Sequence, residues 1–378
     1  MSTLRLSLLP IAVWLLIPTP AAPQSPSGVR VDAPGPPQLT FACCDKTIAE
    51  AQQLLSDPAI LTALTRLHAG LVFAVPDFSR ERAQLVQRLN AAGIPLVAWI
   101  ELSPGKGSYF NAGSFPDAQA AVNQFEQWTA ENSLRWQGVG LDIEPNFSEF
   151  AQLRGHRWQL VRLLASRYFD RARVFRARSN YAALIRQLHD RGYFVQTYQL
   201  PFIVAEREEH STVLERLLGI VDVRGDQEAL MLYTSYAPNV GAGMIWTLGP
   251  HAQAIGVGST EGAPGAGSLG APLSWTQFSQ ALIVAAHFSH TVGIYSLEGC
   301  VQQGYLDRIE SLDWGQSTLI SSQQLRHADR MSRAVRAGIW IATTFPLLLA
   351  LVILWLAALI WYRRVRRRLV RLRLESPE

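Results

Sequence analysis

The chain has 378 residues, of which 48% are hydrophobic and 17% charged, which is enough for one large domain or two small ones. Its formal net charge of +4 comes from the C-terminal tail, because 363–378 holds seven arginines and two glutamates and leaves −1 for the rest. The body therefore lacks the basic surface typical of nucleic-acid-binding proteins, and no nucleic acid partner is expected.

The first residues have the pattern of a secretory signal peptide over 1–24. Arg5 provides a basic start, 6–17 form an apolar core, and 20–22 contain the small residues of a cleavage region. An uncleaved N-terminal anchor is the alternative. The following stretch, 25–38, is rich in Pro, Gly and Ser and predicts a flexible linker.

Apolar runs of strand character then alternate with stretches of helical periodicity. The runs are 39–43, 71–75, 95–100, 138–145, 194–200, 229–233, 254–257 and 291–297. The clearest helical stretches are 79–92, 117–132, 180–191 and 275–290. Strand followed by helix, repeated eight times, predicts an α/β fold with a parallel sheet, and this length is typical of a (β/α)8 TIM barrel over 39–325. An open, doubly wound sheet is the alternative.

One connection, after the fourth run, is too long for a single helix. Residues 148–179 carry many arginines among aromatic and aliphatic side chains. This pattern favours solvated helices on the outside of the barrel. A basic amphipathic surface for a membrane or an anionic polymer is the alternative.

The C-terminal segment 337–362 carries no charge and is dominated by Leu, Ile, Ala, Val and Trp. It exceeds the ~20 residues that a membrane-spanning helix needs. A juxtamembrane linker is expected over 326–336, and the arginine-rich tail 363–378 is expected in the cytoplasm by the positive-inside rule. The sequence therefore predicts a single-pass membrane protein with its barrel outside the cytoplasm, in the periplasm or the extracellular space.

The stretch 138–145 is the most informative part of the sequence. Val139, Leu141 and Ile143 favour a strand, and the acids Asp142 and Glu144 lie on the other face of it at its C-terminal end. Burying two carboxylates beside an apolar strand is costly, and such pairs often belong to functional sites. The alternative is that both acids pair with arginines in a salt-bridge network.

Other predicted strands also end in acids, which in a barrel of this type would meet at one mouth. The acids are Asp45, Asp77, Glu101, Asp142, Glu144, Glu261 and Glu298, and the accompanying polar and aromatic residues are Trp99, Gln196, Tyr198, Gln199, Tyr233, Ser235 and Tyr236. Aromatic faces can stack on sugar rings and carboxylates can bind hydroxyls. We therefore predict a carbohydrate site, with Glu144 and Asp142 catalytic. Its predicted substrate-binding residues are Glu298, Glu101, Glu261, Trp99, Gln199, Tyr198, Tyr233, Asp77 and Asp45.

Other chemistries receive little support from the sequence. The histidines do not fall at metal-ligand spacing, and neither a Gly-x-Ser-x-Gly motif nor a phosphate-binding loop occurs. We expect neither a metal nor a cofactor.

The fourth run resembles a family motif. Residues 139–144 are similar to the Asp-Gly-x-Asp-x-Asp-x-Glu of chitinase-type family 18 glycoside hydrolases, and 231–233 are similar to that family's Met-x-Tyr-Asp. The resemblance implies a (β/α)8 barrel that cleaves polymers of N-acetylhexosamines. This chain departs from the motif, since Val139 and Glu144 stand at two of its Asp positions. In addition, Asn146 stands at the catalytic Glu and Thr234 replaces the Asp after the tyrosine. The Asp-x-Glu pair is also similar to that of lysozyme-like family 25 barrels.

These observations favour a glycoside hydrolase-like protein acting on a polysaccharide or glycan. Glu144 is assigned as the general acid, because a second carboxylate at Asp142 raises its pKa. One of Glu298, Glu101 and Glu261 would be the second carboxylate or a sugar anchor, and pairing of Glu144 with Glu261 would suit retaining barrels. Because Asn146 replaces the expected acid, the alternatives are a barrel that binds sugar without cleaving it and a structural subunit of an envelope or polysaccharide-export complex, with envelope proteins as partners.

The chain has three cysteines, Cys43, Cys44 and Cys300. The first two end the first strand and the third follows the eighth, which is its neighbour in a closed barrel. A disulfide between one of the pair and Cys300 would close a long loop and stabilise the seam. Three free buried thiols are the alternative.

Overall fold

The computed structural model describes residues 28–103, 106, 108–153, 155–261 and 270–374, and within the last range it leaves out the side chains of 345–350, 352, 360 and 363–374. The predicted signal peptide, 1–24, lies outside the described residues.

The described residues form ten strands. In chain order they are β1 (Gly28–Val31), β2 (Gln38–Cys43), β3 (Gly70–Val75), β4 (Leu96–Ile100), β5 (Gly138–Asp142), β6 (Phe194–Gln199), β7 (Gln227–Met231), β8 (Ala254–Gly258), β9 (Thr291–Tyr295) and β10 (Thr318–Ser321). All eight predicted runs are strands, within a few residues of the predicted bounds.

Helices connect these strands. They are α1 (Ile48–Ser56), α2 (Pro58–Arg66), α3 (Arg80–Ala91), α4 (Phe115–Glu131), α5 (Phe147–Gln152), α6 (Arg157–Phe169), α7 (Arg171–Asp190), α8 (Ile203–Glu208), α9 (Val213–Leu218), α10 (Ala242–Leu248), α11 (Trp275–Phe288), α12 (Leu297–Gln302), α13 (Leu306–Glu310) and α14 (Ser322–Leu374).

Strands β2 to β9 are parallel and close into a barrel in sequence order. Closure is made by β2 and β9, where Phe41 lies opposite Ile294 and Ala42 opposite Tyr295. Every residue of β3, β4 and β5 is buried, as expected for strands covered on both faces. The predicted (β/α)8 barrel is therefore confirmed, and the open sheet is excluded.

The two faces of β5 show how alternation positions the site. Val139 and Leu141, with Ile143 just beyond the strand, are buried in the main hydrophobic core. Gly140 and Asp142 face the barrel interior, where Tyr198 from β6 also lies. A Cβ at Gly140 would stand only 2.7 Å from Tyr198 Cε2, so glycine is needed here for the tyrosine ring to pack against the strand. Asp142 therefore lies on the face opposite to the core residues Val139 and Leu141, as strand alternation predicts.

Part of the predicted linker is ordered structure. Within 25–38, β1 pairs antiparallel with β10 as a separate two-stranded ribbon, with Val31 opposite Thr318. Val31 and Ile320 are buried, and His287 Nδ1 lies 2.8 Å from the Asp32 carbonyl. The Pro and Gly content of the stretch predicted a flexible linker throughout, whereas part of it forms a short strand with Val31 buried.

The long connection after β5 contains α5, α6 and α7, as expected for extra helices. Helix α7 begins earlier than the predicted 180, because Asp170 caps it by accepting a hydrogen bond from the Arg173 N–H at 2.9 Å. Its buried residues pack on the barrel, whereas α6 has a largely exposed apolar side.

Helix α14 includes the predicted juxtamembrane linker, 326–336, which is therefore helical. Ala328 and Ile339 of this helix are buried against the domain. Among the residues that the structure describes, no helix has an apolar run long enough to cross a bilayer. The predicted span, 337–362, lies within α14, and some of its positions fall outside the side chains described.

Candidate active site

The mouth of the barrel is formed where the parallel strands end, and its centre is Asp142. This side chain is 6% exposed, and its Oδ1 has no hydrogen-bond partner among the described residues. Burial raises the pKa of Asp142 to about 7. The buried indole N–H of Trp99, from β4, is near enough to favour the charged carboxylate, although neither group reaches hydrogen-bond geometry with the other. Asp142 therefore titrates near neutral pH.

Glu144 lies beside Asp142, two residues further along the chain. Burial first, and then the charge of Asp142, raise the pKa of Glu144 well above its usual range. Its backbone N–H donates to the Phe110 carbonyl at 3.0 Å, and the Phe110 N–H donates to the Asp142 carbonyl at 3.1 Å. These two bonds extend β5 beyond its last ladder residue and hold both acids in place.

A third acid, Glu101, ends β4 in the same mouth. Burial first, and then the charges of Asp45 and Asp142, raise the pKa of Glu101 to about 8. No salt bridge to Glu101, Asp142 or Glu144 occurs among the described residues. The alternative in which the acids pair with arginines in a salt-bridge network therefore does not apply to Glu101, Asp142 or Glu144.

Tyr109 is a mouth residue that the sequence analysis missed. Burial, followed by the charges of Glu144 and Asp142, raises the pKa of its hydroxyl, and Glu101 and Asp45 add to the effect. Tyr109 is therefore close to all four carboxylates. It precedes Phe110 in a loop rich in Gly and Ser, and this composition carries no signal for a functional tyrosine.

Tyr295, at the end of β9, was also missed. Its hydroxyl donates to Asp45 Oδ2 at 2.9 Å, and its ring lies 5.6 Å from that of Tyr233 and 6.5 Å from that of Trp99. Tyr198 completes this aromatic lining and donates its hydroxyl to Gln196 Oε1 at 2.8 Å. Two positions before Tyr295, Gly293 faces inward, so strand alternation could have identified the tyrosine.

Beneath these rings the barrel interior holds a cavity of about 40 Å³. It is lined mainly by small side chains of β2, β7, β8 and β9, including Ala42, Ala229 and Gly256, and by the polar groups of Gln196 and Thr291. This space is large enough for a few water molecules and has polar groups to bind them.

Glu261 and Glu298 form a second group at the β8–β9 side of the mouth. Glu261 makes an ion pair with Lys46 and accepts a hydrogen bond from the Ser296 hydroxyl at 3.0 Å. Glu298 Oε1 accepts the Cys44 N–H at 2.7 Å, while Oε2 is buried with no partner among the described residues. Burial raises the pKa of Glu298. The charge of Asp45 also raises the pKa of Glu298, so this second group of acids lies next to the first.

Gln199 does not face the mouth, contrary to the prediction. Its side chain is fully buried on the helix side of β6, where Nε2 donates to the carbonyls of Val221 at 3.0 Å and Val223 at 3.4 Å. Its neighbour Tyr198 takes the inward position, and strand alternation then directs Gln199 outward.

Asp77 is likewise engaged in holding the structure together. It accepts hydrogen bonds from Arg82 Nε at 3.2 Å and Nη2 at 3.0 Å. Arg82 is completely buried and also donates to the carbonyl of Ala74 at 2.9 Å and that of Cys44 at 3.4 Å. This arginine joins the ends of β2 and β3, so Asp77 serves as its counter-charge.

Asn146 occupies the position where the family resemblance implies a catalytic glutamate. Its side-chain oxygen accepts the Glu149 N–H at 3.1 Å and the Ser148 hydroxyl at 2.6 Å. The amide therefore caps the N-terminus of α5 and has no proton to give as an acid. The substrate-assisted mechanism of that family cannot be transferred through this residue.

All three cysteines are buried free thiols. Cys43 Sγ and Cys44 Sγ lie 2.7 Å apart, and Cys300 Sγ lies 3.8 Å from the Thr260 hydroxyl. The structure therefore contains no disulfide across the β2–β9 seam. Among the described residues, no group of three or more His, Cys, Asp or Glu side chains is arranged to hold a metal ion.

No family model and no curated protein matches the chain. Solved structures with a similar fold include the glycoside hydrolase domain of PgaB (BpsB) from Bordetella bronchiseptica, with 10% identity, a TM-score of 0.41 and coverage of 73% of this chain and 98% of that one. A chitinase from Chromobacterium violaceum ATCC 12472 has 17% identity and a TM-score of 0.30, with 54% of this chain and 58% of that one covered. A D-allulose 3-epimerase from Methylomonas sp. has 12% identity and a TM-score of 0.38, with 71% and 86% covered.

The neighbours therefore include glycoside hydrolases, as the motif resemblance implies. Likeness at this identity and score carries no argument about activity or substrate, and the site has to be judged from its own residues.

Proposed function

We propose that this protein hydrolyses a glycosidic bond of a polysaccharide or glycan, with Glu144 as general acid. The observation that carries the proposal is the group of acids in one aromatic-lined mouth, of which Asp142 and Glu144 have raised pKa values. A carboxyl group that stays protonated near neutral pH can donate its proton to a glycosidic oxygen as the bond breaks.

In this mechanism the two neighbouring acids have different roles. Glu144 keeps its proton because of burial and the charge of Asp142, and delivers it to the leaving oxygen. Asp142, once ionised, stabilises the positive charge that develops on the sugar ring, and Asp45 activates the attacking water by accepting its proton. Hydrolysis should therefore increase as the pH rises through about 7, where Asp142 ionises, and decrease when Glu144 loses its proton.

The test is the Glu144→Gln variant, which keeps the shape of the side chain and removes the acid. We expect release of reducing ends from a panel of glycans to fall by a factor on the order of 10²–10⁴. Glu131→Gln, on the exposed end of α4, is the matched control and should keep full activity. Unchanged turnover by Glu144→Gln would contradict the assignment.

A second function, sugar binding without cleavage, is favoured by one observation. Asn146 caps α5 where a related enzyme would have its acid, and Val139 stands at another acid position, so this chain has two acids fewer than the motif provides. If wild-type protein binds oligosaccharides by calorimetry and releases no reducing ends over days, this second function replaces the first.

We further propose that the barrel functions outside the cytoplasm and is attached to a membrane through 337–362, with envelope proteins as possible neighbours. The support is the sequence alone, namely the apolar segment, its flanking aromatics and the arginines of 363–378. We expect the full chain to stay in the membrane fraction after carbonate washing and the barrel to be cleaved by protease added to spheroplasts; protection of the barrel until the spheroplasts are lysed would contradict the proposed orientation.

A further inference from the structure

Helix α6 exposes an apolar face to solvent, in addition to the half-buried Leu160, Leu163 and Leu164 on its opposite face. Trp158, Val161 and Phe169 are 85%, 55% and 76% exposed, and Ala165 is exposed between them. Their spacing of three and four residues places all four on one face of the helix. They form a continuous apolar stripe about 16 Å long at the helical rise of ~1.5 Å per residue.

Positive charges border this stripe. Arg162 is exposed on the same side as the stripe, Arg157 precedes Trp158, and Arg171 and Arg176 are exposed at the start of α7. Phe175 of α7, 76% exposed, adds a further aromatic residue. Apolar side chains flanked by arginines are the pattern of a surface that inserts shallowly between anionic headgroups.

The stripe ends beside α14. The Tyr168 hydroxyl donates to the Ala342 carbonyl, and Arg216 from α9 lies 4.9 Å above the Tyr168 ring. On α14, Trp340 and Ile341 are exposed next to this contact. The exposed apolar residues of α6 and those of α14 therefore lie on either side of the Tyr168–Ala342 contact.

We propose that the α6 stripe, Trp158, Val161, Ala165 and Phe169, rests on the surface of an anionic phospholipid bilayer. A second copy of the chain fits this surface less well, because symmetric pairing of two stripes would bring their flanking arginines together. The proposal does not depend on hydrolysis, so its failure would leave the proposed activity untouched.

The proposal also sets the orientation of the mouth. Helix α5 starts directly after Glu144 and Asn146, and Phe147 at its start contacts the Tyr109 ring edge-on at 6.3 Å. Arg167 of α6 makes an ion pair with Glu149 of α5, so α6 lies beside α5 at the mouth end of the barrel. Contact with a bilayer through α6 would hold the mouth next to the membrane surface, where a lipid-linked or membrane-emerging glycan is accessible.

The experiment uses the full chain in lipid nanodiscs. A thiol-reactive NBD fluorophore is attached to Ala165→Cys or, as the control, to Gln53→Cys on the exposed side of α1. The unsubstituted chain shows whether its buried thiols react. In discs of phosphatidylcholine with phosphatidylglycerol, we expect the fluorophore at 165 to have blue-shifted emission and at least twofold slower quenching by acrylamide than the fluorophore at 53. We expect the double substitution Arg157→Gln/Arg162→Gln to abolish this difference.

Equal quenching at the two positions in anionic discs would overturn the proposal. Protection of the fluorophore at 165 from acrylamide that persists in detergent, together with a dimer captured by chemical crosslinking, would assign the stripe to a second copy of the chain. That result would also overturn the proposal.

Discussion

At the scale of single residues, the main feature is that three carboxyl groups of the mouth, Glu101, Asp142 and Glu144, have no salt bridge to a cation among the described residues, whereas other acids nearby do. Arg82 and Lys46 are the basic residues near the strand ends, and each pairs with another acid, Asp77 or Glu261. Burial raises the pKa of Asp142, and burial followed by the charge of Asp142 raises the pKa of Glu144. Because no salt bridge offsets the cost of burial, both carboxyl groups keep a raised pKa, as the proposed proton transfer requires.

This arrangement should cost stability at high pH. A carboxyl group with an ordinary pKa of about 4 when unfolded and about 7 when folded binds its proton more tightly in the native state. The unfolding free energy therefore falls as pH rises between those values. We predict that Asp142→Asn raises the melting temperature at pH 8 and changes it little at pH 4.

The measurement is thermal unfolding across this pH range, with Asp117→Asn on α4 as a control that should show no pH-dependent gain. A larger gain for Asp142→Asn at pH 4 than at pH 8 would contradict the pKa direction.

At the scale of secondary-structure elements, β5 and β6 meet where glycine and tyrosine share space. Gly140 and Tyr198 face each other inside the barrel, and the tyrosine hydroxyl is held by Gln196. The absence of a side chain at Gly140 of β5 therefore leaves space for the Tyr198 ring, which lies beneath the acids.

We predict that Gly140→Ala displaces Tyr198, because the added Cβ would lie 2.7 Å from its ring. Activity or sugar binding should fall at least tenfold in a protein that still folds. The matched control is Gly293→Ala, since the new Cβ there meets its nearest neighbour, the Thr40 hydroxyl, at an ordinary 3.5 Å. Equal effects of the two substitutions on binding would show that Tyr198 does not shape the site.

At the scale of the whole molecule, the ribbon of β1 and β10 joins the segment before the barrel to the segment after it. Ile320 is fully buried in the main core, whereas its neighbour Leu319 is 42% exposed. The ribbon is thus an integral part of the domain, and the barrel strands alone do not define the domain boundaries.

We predict that Ile320→Ala lowers the unfolding free energy by about 2–5 kcal/mol, the usual cost of truncating a buried isoleucine. Leu319→Ala, in the same strand, should cost less than about 1 kcal/mol, since half-exposed side chains lose less contact. Urea unfolding of both variants measures the difference. Similar midpoints for the two would indicate that the ribbon opens without unfolding the barrel.

The sequence alone determined the number, order and approximate bounds of the barrel strands, because hydrophobic periodicity and chain breaks are local properties. It also placed Asp142 and Glu144 together at the end of one apolar strand, because they are two residues apart, while their catalytic role stays a prediction. Only the tertiary structure decided which polar residues share the mouth. Gln199 faces the helices outside the barrel, and Asp77 pairs with the buried Arg82. Tyr109 and Tyr295 lie beside the acids of the mouth. These contacts depend on strand register and on the path of the loops, which bring together residues that are far apart in the chain. A local sequence pattern therefore does not predict them.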